Sequence, residues 1–83
     1  MTLDHLKAAK RRAIGSKQTA KALGRDEVRT VFIASDAEER VTREISSLAE
    51  QKGIEVVMVE TMAALGQACG IEVGAATAAI MKD

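Results

Sequence analysis

The chain contains no proline, tryptophan or tyrosine, a single phenylalanine and a single cysteine. Each shortage closes off a class of explanation. With only Cys69, no disulfide can form within the chain, and with only His5 beside it, no Cys/His zinc cluster can be assembled. A serine or cysteine nucleophile needs a positioned base, and His5, the one imidazole, lies far from Cys69 in the sequence. The expectation is therefore no catalytic site, no metal and no cofactor, with Cys69 acting as a small buried apolar residue. With Phe32 the only aromatic residue, the chain cannot stack bases on exposed rings, as RRM modules and many OB-folds do. An RNA-binding protein of this composition must rely on charge, main-chain amides and polar side chains. No apolar run approaches the roughly 18 residues of a membrane span. The segment MTLDHLKAAKRRAIG carries no long apolar stretch behind its charges, so a secretory signal is not expected either. These features suggest a cytoplasmic location.

What remains is a globular balance: 47% hydrophobic and 29% charged residues over 83 positions, enough for one domain, residues 1–83, with one core. The net charge is zero, but it is unevenly spread. Residues 1–25 hold seven basic residues against Asp4 alone, net +6, and the remainder holds five against eleven acidic ones, net −6. A basic pole on a neutral protein steers polyanions to that pole. On ordinary charged helix surfaces so even a split would be a coincidence, though not a rare one.

Hydrophobic spacing divides the chain into alternating elements. A first helix is expected from Leu3 to about Arg12, capped by Thr2 or Asp4, with Arg12-Ala13-Ile14 as a very short strand. Ser16 to Leu23 forms a second helix, with Ser16 as its N-cap and Gly24 just past its end. Val28 to Ala34 is a strand buried on both faces. Ser35-x-x-Glu38 suggests a capping box for a third helix whose inward stripe is Val41, Ile45, Leu48 and Ala49, ending at Gly53. Val56 to Val59 is a second buried strand, and Thr61 caps a short helix striped by Met62, Leu65 and Cys69. Gly66 inside that helix points to close packing, and Gly70 ends it. A loop at Ile71–Gly74 and a final strand from Ala75 to Met81 complete the order. Helices and strands in alternation give an α/β fold: a three-layer α/β/α sandwich around a mixed four-stranded sheet.

Three groups of residues carry possible chemistry. Gly15-Ser16-Lys17-Gln18-Thr19-Ala20-Lys21 places Lys17, Gln18 and Lys21 on one face at the start of a helix. There, free N–H groups and the helix dipole favour anions. Lysines donate to guanine edges or phosphates, and a glutamine amide both donates and accepts. An ordinary solvated amphipathic helix fits the same spacing. Secondly, the stretch LGQACGIEVGAA, residues 65–76, presents Ile71, Glu72 and Val73 between glycines, ending at Gly74. An exposed Ile-x-Val tip suits an unstacked base, though a loop tucked against the sheet explains it equally. Lastly, Lys7, Lys10 and Arg11 would share a face of the first helix, with Arg12 beside them, as phosphate contacts or simply as solvated charge. No Walker A, GxGxxG or HExxH pattern is present.

Taken together, GSKQTAK and, about 50 residues later, LGQACGIEVGAA resemble the kink-turn-binding ribosomal protein family. This is the family of the archaeal large-subunit protein seven-Ae and the eukaryotic thirty-e protein, with small bacterial members of YbxF type. The resemblance covers essentially the whole chain. It implies an α/β/α sandwich and binding to the kink-turn, an RNA bend with a short bulge beside tandem sheared G·A pairs. By similarity, Gly15, Lys17, Gln18 and Lys21 correspond to the residues that read the sheared guanines. Ile71, Glu72 and Val73 correspond to the loop that packs on the bulged nucleotides. Archaeal members carry Asn-Glu where this chain has Lys17-Gln18, an exchange that adds positive character and removes a strong acceptor for guanine amino groups. In this the chain is similar to the thirty-e branch. A monomeric partner of ribosomal RNA, a riboswitch or an mRNA leader is implied. The rival reading is a protein-interaction scaffold that uses the acidic third helix or the Ile71/Val73 tip.

Overall fold

A computed structural model describes residues 3–82. Its elements are α1 (Leu3–Ala8), β1 (Arg12–Ile14), α2 (Ser16–Gly24), β2 (Val28–Ala34), α3 (Glu39–Gln51), β3 (Glu55–Val59), α4 (Met62–Ala68) and β4 (Thr77–Met81). The four strands form one mixed sheet in the order β1-β4-β2-β3, with β4 antiparallel to β1 and β2, and β2 parallel to β3. The fold is the three-layer α/β/α sandwich expected.

The period-two alternation of the central strands divides the core. Val31, Ile33 and Ala79 face α2 and α3, where they meet Ala22, Leu23, Ile45 and Ala49. Phe32, Ala34, Ala78 and Ile80 face α1 and α4, where they meet Leu6, Leu65, Ala68 and Cys69. Val31 to Ala34 are all buried because β2 is a central strand covered on both faces. Cys69 is buried, and desolvation pushes its thiol up while the nearby Arg12 opposes the shift. Thr61 caps α4 by accepting a hydrogen bond from the Ala64 N–H at 3.0 Å.

Several local expectations are corrected. The first helix stops at Ala8, not Arg12, because the main chain of Arg11 is already committed to the sheet and accepts from the Met81 N–H. Lys7, Lys10 and Arg11 therefore do not share a helix face. A Thr2 cap lies outside the described residues, and Asp4 sits within the first turn of α1. The N-cap of α2 is Gly15 and not Ser16. Gly24 is the last residue of α2, and the left-handed residue after it is Asp26 (φ 57°), a residue type that tolerates that region. The Ser35/Glu38 capping box does not form: the N-cap of α3 is Glu38, without a side-chain cap, while the Ser35 N–H is drawn to the Val59 carbonyl at the end of β3. Val41 is exposed, and Thr42 takes its place on the buried stripe of α3. Strand β3 is an edge strand, so Met58 is 60% exposed instead of buried. The last strand begins at Thr77, two residues later than expected.

Candidate nucleic-acid interface

Strand β1 ends at Ile14, and its antiparallel neighbour β4 begins at Thr77. The two chain segments that flank this junction are the start of α2 and the loop leading out of α4. They are tied directly: the Gly15 N–H donates to the Thr77 carbonyl (2.9 Å), and the Thr77 hydroxyl donates to Ser16 Oγ (3.3 Å). Only Ala75 and Ala76 separate Gly74 from that tie. The structure thus brings the two distant motifs to the same end of the sheet.

Gly15 makes the α2 side possible. Its φ of 91° and ψ of 160° lie in a region that an L-residue avoids. A Cβ there would meet nothing within 4 Å, so the requirement is conformational, and the space above it is open. The first intrahelical bond runs from the Thr19 N–H to the Gly15 carbonyl, and no side chain caps the helix. The N–H groups of Ser16, Lys17 and Gln18 consequently point out of the helix end unclaimed. Lys17, Gln18 and Lys21 are exposed around them, while Thr19, Ala22 and Leu23 are buried beneath.

The other side is a rigid tip held by glycine packing. The Ile71 N–H donates to the Gly66 carbonyl and the Ala75 N–H to the Met62 carbonyl, pinning both ends of the loop to α4. A Cβ on Gly66 would lie 2.1 Å from the Val73 carbonyl oxygen, and one on Gly74 would lie 3.0 Å from Met62 Cβ. Ile71 is not the exposed residue expected: it is half-buried and packs on the core beside α4. Val73 alone carries the apolar surface of the tip, at 71% exposure, with Glu72 and Gly74 also exposed.

Arg12 belongs to this neighbourhood. Its guanidinium donates to the Ala68 carbonyl at the end of α4 (3.4 Å), linking β1 to the helix that carries the tip. Arg12, Ile14, Gln18, Lys21 and Arg25 are among the residues that line a groove of about 350 Å³ between β1 and α2. Arg25 was not singled out from the sequence, although its spacing from Lys21 and Gln18 is helical and would have revealed it. Lys10 and Arg11 lie elsewhere. Arg11 donates to the Lys82 carbonyl and pairs with Glu27 (3.3 Å) at the far end of the sheet. Lys10 lines a separate cleft with His5 and Arg29.

Fold and site together define a compact α/β/α scaffold that presents uncapped helix amides and an apolar loop tip at one end. The profile of the Ribosomal protein L7Ae/L30e/S12e/Gadd45 family matches residues 2–83, and the chain belongs to this family. It is 47% identical over 81 residues to an "RNA-binding protein" of Bacillus pumilus, covering 98% of this chain and 99% of that one. It is 35% identical to the "RNA-binding protein YbxF" of Geobacillus stearothermophilus over 99% of this chain and 100% of the relative. It is also 46% identical to the "Large ribosomal subunit protein eL8" of Halobacterium salinarum over 81% of this chain and 57% of that protein. Among solved structures, the Giardia lamblia 15.5kD RNA binding protein superposes with a TM-score of 0.85 at 27% identity, over 98% of this chain and 68% of its own. Membership of an RNA-binding ribosomal-protein family follows. Among the described residues, no helix is long and apolar enough to cross a membrane.

Proposed function

We propose that this chain is a single kink-turn RNA-binding domain, a cytoplasmic and ribosome-associated monomer without catalytic activity. The observation that supports this reading is the junction at Thr77, which ties the uncapped start of α2 to the strand that follows the Val73 tip. A sharply bent RNA presents two features close together: base edges in a distorted groove, and bulged nucleotides that have left the stack. Lys17, Gln18 and Lys21, with the free amides of α2, suit the first. Val73 offers an apolar rest for an unstacked base. Conformational selection follows: the protein binds the bent form better and populates it in proportion to that difference in affinity.

A gel-shift comparison of a kink-turn duplex with a control lacking its G·A pairs tests the reading. Preference for the kink-turn is the expected result, and equal affinity for both would refute it. The scaffold alternative makes the opposite prediction, because partner binding would then survive charge reversal at Lys17 and Lys21.

A further inference from the structure

The hydrogen-bond register of β1 determines what its free edge offers. Gly15 donates to Thr77 and Met81 donates to Arg11, and Ala13 lies opposite Ala79 between them. Residues 11, 13 and 15 are therefore the hydrogen-bonded positions of the ladder. Antiparallel pairing alternates, so Arg12 and Ile14 turn both their N–H and their C=O away from β4. Because β1 is the edge strand, these groups face outward, into the groove flanked by Gln18, Lys21 and Arg25. Two donor–acceptor pairs thus repeat about 7 Å apart along the edge, with cationic side chains beside them. The one carboxylate on the groove, Glu27, is already paired with Arg11.

A main-chain N–H and C=O from one residue match a group that both accepts and donates. A ribose 2′-hydroxyl is such a group, and it distinguishes RNA from DNA. An extended peptide would match the same edge, but the flanking Lys21 and Arg25 favour a polyanion. The groove also shares Gln18 and Lys21 with the α2 end of the interface, so the two form one continuous surface. We infer that the outer edge of β1 binds the ribose–phosphate backbone of a stem adjoining the bend, with the Arg12 and Ile14 main chain on 2′-hydroxyls and Lys21 and Arg25 on phosphates. This rests on the kink-turn reading and adds to it a sugar-specific contact that requires no base sequence.

The test compares Arg12→Pro with Arg12→Ala. Both remove the guanidinium, but only proline removes the outward N–H. Proline is tolerated on an edge strand when the lost donor lies outside the ladder. Binding is measured to an all-ribose kink-turn duplex and to the same duplex with 2′-deoxy sugars along one stem strand. Wild type and R12A should each lose affinity about three- to tenfold on deoxy substitution, the worth of a hydrogen bond or two. R12P should bind the all-ribose duplex more weakly than R12A, and its response to deoxy sugars should be smaller. Equal deoxy sensitivity in R12P and R12A would overturn the inference, whereas loss of G·A discrimination by the wild type would instead remove the kink-turn reading beneath it. Binding of an oligo-glutamate peptide that R12P alone abolishes, with deoxy sensitivity unchanged, would assign the edge to protein and also overturn the inference. Should R12P fail to fold by circular dichroism, a chemically synthesised chain with an ester in place of the Arg12 amide gives the same comparison.

Discussion

The two ends of the sheet are finished in opposite ways. At the lower end, charged side chains and main chain are stitched together. Arg11 pairs with the Glu27 carboxylate and bonds the Lys82 carbonyl, Lys52 pairs with Asp26 at 2.6 Å, and the Lys82 N–H donates to the Glu27 carbonyl. The Lys52 hydrogen bond and charge hold the Asp26 carboxyl below its ordinary range. At the upper end, α2 begins without a cap and Val73 stands out in solvent. One end closes the molecule, and the other leaves donors and apolar surface unspent. A fold of this size gains little from exposed ion pairs, so the stitching maintains register more than it adds stability. The open end must therefore be held rigid by its own packing, which is the role of Gly66 and Gly74.

That contrast can be broken or sharpened by substitution. The largest effect is expected from Gly66→Val. The added branch meets the Val73 carbonyl, main chain that cannot yield without lifting the tip. A loss of about 1–3 kcal/mol in urea unfolding, typical of overpacking, should accompany loss of kink-turn affinity. Next comes Gln18→Ala or Lys21→Ala, each expected to cost about 1–3 kcal/mol in RNA binding, as losing a good base contact does, with urea unfolding almost unchanged. Gly15→Ala should cost on the order of 1–2 kcal/mol of stability through its forced positive φ; unchanged thermal unfolding would count against the strained conformation.

At the lower end the effects shrink. Arg11→Ala breaks a pair whose side chains are half and one-third exposed, so about 0–1 kcal/mol of stability is at stake. Kink-turn affinity should fall less than for Lys17→Ala, and the reverse order would mean that RNA reaches the closed end. The pH response distinguishes the two ends again. Asp26 is depressed, so its contribution is present above its unfolded pKa and fades as pH falls through the folded value. Cys69 is raised, so above the thiol's unfolded pKa the unfolded chain ionises first and stability falls. Cys69→Ala should flatten that alkaline decline, and folded wild-type protein should resist thiol reagents at neutral pH.

The layers, the succession of helices and strands along the chain and the two motifs were legible because they depend on local periodicity and glycine placement, whereas the order of strands in the sheet was not. β2 read correctly as doubly buried because four consecutive apolar residues allow little else. β3 read wrongly because Val-Val-Met-Val has the same composition, and only sheet order makes it an edge with Met58 outside. The helix boundary at Ala8 and the missing Ser35 cap share one cause: each is decided by a bond to a residue distant in sequence, Met81 for Arg11 and Val59 for Ser35. Ile71 is instead drawn in locally, by its N–H bond to Gly66 and its packing on the core beside α4. Arg12 read as a phosphate contact or solvated charge, and its bond to Ala68 stayed hidden because that partner lies far along the chain.

The 2.1 Å approach of a virtual Gly66 Cβ to the Val73 oxygen has an evolutionary reading. A hydrogen atom is the only side chain that lets this helix and this loop touch, so the pair behaves as a keyed joint. Diversification of the tip can proceed at Glu72 and Val73, which face outward, while the hinge beneath stays frozen. On the proposed interface, the two surface side chains can therefore be exchanged to alter what the tip meets without rebuilding the scaffold.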